Sequence, residues 1–200
     1  MKRMTTTVMG LSALVVMLVL GVFSAGVAQA HTFEFSGATP SLLLILGDGP
    51  QLFAVTPNVE IICSHVRLDG KINTAKQVTV KVAGNYTGCE ALGFAVSITE
   101  AEYELSAEET VSVLKGILIE VAGICVIHIF TTNNQNLSKI RYLVDPLSSL
   151  RILAHAEVEK IHSIVLGGGS LCGGEGLHNA GVYRGLLLAW VHSPGTLKWA

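Results

Sequence analysis

Apolar and polar residues alternate with a period of two along most of the chain, the spacing of strands that bury one face. Gln77-Val78-Thr79-Val80-Lys81-Val82 is the clearest stretch. Before it, Val59 to Val66 alternates and runs into Asp69-Gly70, a dipeptide suited to a two-residue hairpin turn. A hairpin there pairs Leu68 with Lys71 and sets Ile61 opposite Val78 and Val59 opposite Val80, so that the apolar faces coincide. Asn85-Tyr86-Thr87-Gly88 reads as the next turn. Further strands are predicted near 32–36, 51–55, 93–98, 103–105, 111–114, 117–121, 125–130, 140–144 and 182–191. Asp145-Pro146 opens a segment that would cap a helix, because proline is welcome in a first helical turn. Ile152, Ala154, Ala156 and Val158 nevertheless alternate with Leu153, His155, Glu157 and Glu159, and strand is the preferred reading over 146–160. Short strands at close spacing, punctuated by Gly, Asn and Pro, predict a single-domain all-β fold, either a sandwich or a barrel.

The first thirty residues break this pattern. Lys2 and Arg3 precede an apolar stretch from Val8 to Val22, and Ala28-Gln29-Ala30 supplies the small-x-small pattern of signal peptidase. The sequence therefore predicts an export signal over 1–30 and a secreted or cell-surface β domain over 31–200. The residue directly after the predicted cut is His31 and not a cysteine, which argues against a lipid anchor, and Lys2-Arg3 is not a twin-arginine pair. The longest later apolar run, Val111 to Phe130, carries Lys115, Glu120 and His128, so it reads as buried strands and not as a membrane span. The mature chain holds eleven Lys and Arg against fifteen Asp and Glu, a net charge of −4 with neutral histidine. That sign argues against nucleic acid and anionic membrane as partners.

Four cysteines, Cys63, Cys89, Cys125 and Cys172, remain in the mature chain, an even number in an oxidising compartment. Of the three connectivities, Cys63 with Cys89 and Cys125 with Cys172 is preferred, because sequential pairing joins neighbouring strands. In the chain-entropy account each bridge stabilises by about 3.5–4 kcal/mol. The cysteines lack the CxxC spacing of a zinc site.

The lone Cys63, Asn85-Tyr86-Thr87-Gly88-Cys89, Ala101-Glu102-Tyr103-Glu104-Leu105, Gly123-Ile124-Cys125, Leu171-Cys172-Gly173-Gly174 and Gly181-Val182-Tyr183-Arg184-Gly185 together resemble a group of exported bacterial β proteins with four cysteines and no known activity. The resemblance spans most of the mature chain and rests on cysteines, turns and a tyrosine-bearing strand. It implies a fold and an exported setting, and it transfers no chemistry.

His31 is the sharpest chemical suggestion. As a mature terminal residue it offers an α-amine and an imidazole to one metal ion, and a second histidine would complete the nitrogen set that Cu(II) favours. That arrangement resembles the copper brace of secreted polysaccharide monooxygenases and periplasmic copper carriers. The second ligand would come from His65, His128, His155, His162, His178 or His192, against the plainer reading of a solvated terminus. His155 and His162 are seven residues apart, unlike the four-residue spacing of a zinc helix. His128, between Ile127 and Ile129, reads as packed.

Glu100, Glu102, Glu104, Glu108 and Glu109 form an acidic group that alternation places on a solvated face, with weak calcium binding or a glycosidase-like carboxylate pair as the sharper reading. There is no Gly-x-Ser-x-Gly elbow, and Gly167-Gly168-Gly169-Ser170 lacks the Lys of a phosphate loop. The stretch 167–176 reads as a flexible loop around Cys172. Asn85-Tyr86-Thr87 and Asn136-Leu137-Ser138 fit the glycan acceptor pattern, though the bacterial resemblance argues against modification. The sequence thus favours a secreted, non-enzymatic binding or structural protein, with a cell-surface or glycan ligand among its partners and no cofactor. The alternatives are a copper protein using His31 and a hydrolase whose site leaves no motif.

Overall fold

The computed structural model describes residues 30–131, 137–138, 140–148 and 150–200. The expected export signal therefore lies outside the described residues, Ala30 excepted, as do Asn136 of the second glycan acceptor and residues 132–135.

The described chain starts with short β1 (Phe33–Phe35) and then enters a barrel of eight antiparallel staves, each beside its successor in sequence. The first stave is β2 (Ser41–Gly47) and β3 (Gln51–Thr56), interrupted at Asp48-Gly49-Pro50, where proline supplies no N–H to a ladder. The second is β4 (Val59–Ile72), and the two-residue β5 (Lys76–Gln77) leads to the third, β6 (Thr79–Ala91). The fourth is β7 (Phe94–Ile98) with β8 (Ala101–Ser106), and the fifth is β9 (Thr110–Lys115) with β10 (Ile117–Val121). The sixth is β11 (Cys125–Ile129), β12 (Leu137–Ser138) and β13 (Ile140–Val144). Long β14 (Arg151–Gly167) and β15 (Gly176–Val191) complete the ring, and β16 (Leu197–Trp199) ends the chain.

Register shows why the broken pieces count as single staves. β6 pairs with β8 through Thr79–Gly84 and with β7 through Cys89–Ala91, along one edge. β14 likewise pairs with β13 at one end and β11 at the other. The ring closes where β15 pairs with β2 through Leu187–Val191 and with β3 through Val182–Arg184. Of the two expected architectures, the structure is the barrel.

Inward positions are aliphatic, with Val55, Ile61, Ile119, Val121 and Ile127 fully buried, so side chains fill the interior as an eight-stranded ring permits. β1 lies between β16 and β5 as a small sheet that lids one end, called upper here, with Phe33, Phe35 and Leu197 buried beneath it. At the lower end Cys125–Cys172 ties a 3-10 turn at Gly169–Cys172 to β11, and Cys63–Cys89 joins directly opposed residues of β4 and β6. Both bridges follow the expected connectivity.

Two expected turns are strand. Asp69-Gly70 lies inside β4, with Gly70 opposite Val82. A Cβ at Gly70 would sit 2.7 Å from the Lys81 carbonyl oxygen, so this glycine allows close strand approach and does not reverse the chain. The reversal comes at 73–75, where Gln77 accepts from the Asn73 N–H and the Thr74 hydroxyl donates to the Lys76 carbonyl. Ile61 consequently does not face Val78. Asn85-Tyr86-Thr87-Gly88 runs within β6, and Gly88, at φ +60°, accommodates a local irregularity in mid-strand. The 146–160 region is strand from Arg151 onward, as alternation predicts.

Candidate functional site

The barrel interior carries a small set of polar groups. The Tyr183 hydroxyl donates to Gln51 Oε1 (2.7 Å), and Gln51 Nε2 donates to the carbonyls of Gly49 and Leu186. Gly185 makes this possible, since a Cβ there would collide with the Gln51 amide. The hydroxyls of Tyr86 and Tyr103 share a hydrogen bond of 2.7 Å, and a Cβ at Gly84 would crowd both rings. Burial pushes the hydroxyls of Tyr86, Tyr103, Tyr142 and Tyr183 above the ordinary phenol value. All four tyrosines of the chain are therefore neutral at physiological pH. Between Tyr86, Tyr103 and Tyr183 lies a cavity of about 60 Å³ walled by Phe53, Leu68, Val113, Ala156 and Leu187. Ligand pockets run to roughly 300–1,000 Å³, so this space suits packing relief better than a bound metabolite.

The outer wall offers the more unusual surface. The paired residues Leu143, Leu153, Leu188 and Leu46 form one row across β13, β14, β15 and β2, at positions that point away from the interior. Beside it, Arg151, Trp190 and Leu44 form a second row. At strand spacing, four staves span roughly 14 Å. These outward leucines are half-buried or exposed, and the apolar surface continues onto the last residue of β13, Val144, which is 78% exposed, and the turn after it, where Leu147 is 85% and Leu150 57% exposed.

That turn is built from buried polarity. Asp145, nearly inaccessible, accepts the Leu147 N–H at its carboxylate (2.8 Å) and the Ser148 N–H at its backbone carbonyl (3.2 Å), and pairs with Arg151. The Leu147 N–H first, and then Arg151, hold the Asp145 carboxyl below its ordinary value, against the opposing effect of burial.

The sequence candidates are scattered. His31 is exposed and stacks on Trp199 with ring centroids 4.5 Å apart. His65 Nδ1 lies 2.8 Å from the Ser64 hydroxyl, His128 sits edge-on to Phe130 in a half-buried position, and His178 Nε2 lies 3.0 Å from the Gly174 carbonyl. His155, His162 and His192 are exposed. Among the described residues no three His, Cys, Asp or Glu side chains converge as a metal-holding group. Glu102 and Glu104 are on strand β8, and Lys115 lies 3.7 Å from Glu100 and 4.0 Å from Glu102.

The leucine rows are what residue-by-residue reading missed. Their signal was present: Leu42-Leu43-Leu44-Ile45-Leu46 and Leu186-Leu187-Leu188-Ala189-Trp190 are apolar at both parities, so whichever face is inward, the outward one is also apolar. No family model matches this chain, and neither a curated protein nor a solved structure matches it.

Proposed function

We propose that this chain is an exported, non-enzymatic binding module in which the disulfide-stapled barrel is a rigid scaffold and the outer apolar wall is the contact surface. The observation that supports it most is the Leu143–Leu153–Leu188–Leu46 row with Trp190 beside it. The interior is filled without these side chains, and an apolar patch across four strands is what interaction surfaces present. Two disulfides suit an extracellular setting, and among the described residues no helix is long and apolar enough to cross a membrane.

The test is a Leu153→Ser/Leu188→Ser variant compared with wild type for retention on an octyl matrix and for thermal unfolding. A folded variant with most of its retention lost supports the reading. Loss of folding would assign the leucines to structure, and unchanged retention would remove the proposed contact surface.

A further inference from the structure

We propose that the apolar wall and the turn between β13 and β14 dock on a lipid surface, with Leu147 and its neighbours entering the interfacial layer. The inference rests on the contact-surface reading and names its partner. Shape is the first argument. Val144, Leu147 and Leu150 project from the upper end, and Asp145 holds the turn that presents them by accepting two backbone N–H groups and pairing with Arg151. Leucines held outward by a turn that is tied to a buried carboxylate are pre-ordered for insertion, so little conformational entropy remains to be lost on binding.

The wall behind the tip has the amphipathic order of an interfacial element. Trp190 sits beside Leu44 and opposite Arg151, with exposed Arg141, His155 and His192 around the apolar rows. Tryptophan favours the headgroup level, and arginine can reach phosphate from there. Of the acids near these rows, Asp69 is paired with Arg67, Asp145 with Arg151 and Glu157 with Arg184, while exposed Asp48 sits at the edge beside Leu186.

The chain outside the described residues points the same way. Twenty-nine residues precede Ala30 and include the apolar stretch from Val8 to Val22. The described chain starts at the upper end, where Thr32 pairs with Ala200 and His31 lies on Trp199, so the segment emerges on the end that carries the leucine tip. While it is attached and membrane-bound, it brings that end to the bilayer. A second copy of the chain fits less well. Two convex barrel walls meet along a narrow strip, whereas a stable dimer buries roughly 800 Å² per partner; a bilayer deforms around a projecting tip. With a mature net charge of −4, attraction to anionic lipid is not the driving force, and apolar insertion into a neutral surface is.

The experiment is co-sedimentation of the exported protein with phosphatidylcholine vesicles, with and without anionic phosphatidylglycerol, at low and high salt. Size determination and octyl-matrix retention are run in parallel. Wild type should bind neutral vesicles independently of salt. Val144→Ser/Leu147→Ser should lower binding at least tenfold while unfolding at the wild-type temperature, and Leu177→Ser at the lower end should leave it unchanged. Matrix retention without vesicle binding would overturn the lipid proposal and leave the contact surface standing; loss of both would overturn the two together. A dimer dispersed by the Leu147 variant would assign the patch to a second copy. Binding confined to anionic vesicles and abolished by salt would overturn apolar insertion.

Discussion

On the inside, the wall of β4, β6 and β8 and the wall of β13, β14, β15 and β2 are alike: Val66, Leu68, Val80, Val82 and Leu105 on one side face Ile152, Ala154, Leu187 and Ala189 on the other. On the outside they diverge. The first wall carries Arg67, Asp69, Lys71, Lys81, Glu102 and Glu104, and the second carries the leucine rows and Trp190. Closure of the ring demands only the inward set, so the fold explains the likeness and leaves the difference for function to explain. An apolar interior and a charged outer wall are also the reverse of a barrel that spans a membrane, where the apolar band faces outward all round.

The strongest way to break this comparison is to exchange neighbours of opposite parity on one strand. Leu187 points inward beside the central cavity and is nearly inaccessible, so Leu187→Ala should cost about 2–5 kcal/mol in denaturant unfolding. Leu188 is next along and outward, and Leu188→Ala should cost less than about 1 kcal/mol, close to Lys81→Ala on the other wall. Equal losses at Leu187 and Leu188 would mean that the outer row belongs to the core after all.

A smaller effect sharpens the account of the interior, where Tyr86 and Tyr103 from one wall meet Tyr183 from the other, while Tyr142 packs separately beneath the lid against Phe33. A phenol whose folded value is raised contributes stability that is complete below the unfolded value of about 10 and is lost as pH rises towards the folded one. Stability should therefore fall above pH of about 10. Tyrosinate absorbance should appear together with the loss of strand signal in circular dichroism, since all four tyrosines are held neutral by burial. Two or more tyrosines ionising in the folded protein would show that the interior admits solvent.

The all-β class, the Ile117–Val121 and Ile140–Val144 strands and the disulfide connectivity were legible because each follows from local alternation or from chain order. Ring closure was not, because pairing of β15 with β2 and β3 joins residues more than a hundred positions apart and no local pattern encodes it. Asp69-Gly70 misled for a related reason. Its turn chemistry is real in isolation, but the register of β4 against β6 uses Gly70 for close approach, and side chains of Thr74 and Gln77 build the reversal instead. The outer leucines were visible as a breach of alternation, yet their alignment into rows needed the same register.

The smallest expected effect asks whether the upper end binds by apolar contact alone or also through a metal. His31 belongs to that end, and its ring lies against the Trp199 indole at an interplanar angle of 21°. Thr32 fixes the chain behind it: its N–H donates to the Ala200 carbonyl (2.8 Å) and its carbonyl accepts from the Ala200 N–H (3.0 Å). A copper brace needs the α-amine and the imidazole of His31 on one ion together with a second imidazole. Calorimetry with Cu(II) on protein beginning at His31, on His31→Ala and on a form with one extra N-terminal residue separates that chelate from adventitious binding at the other histidines. The expected result is equal, weak heat in all three forms. One-to-one binding confined to the form that begins at His31, and weakened as acid protonates its nitrogens, would give the upper end a metal chemistry that the leucine wall does not supply.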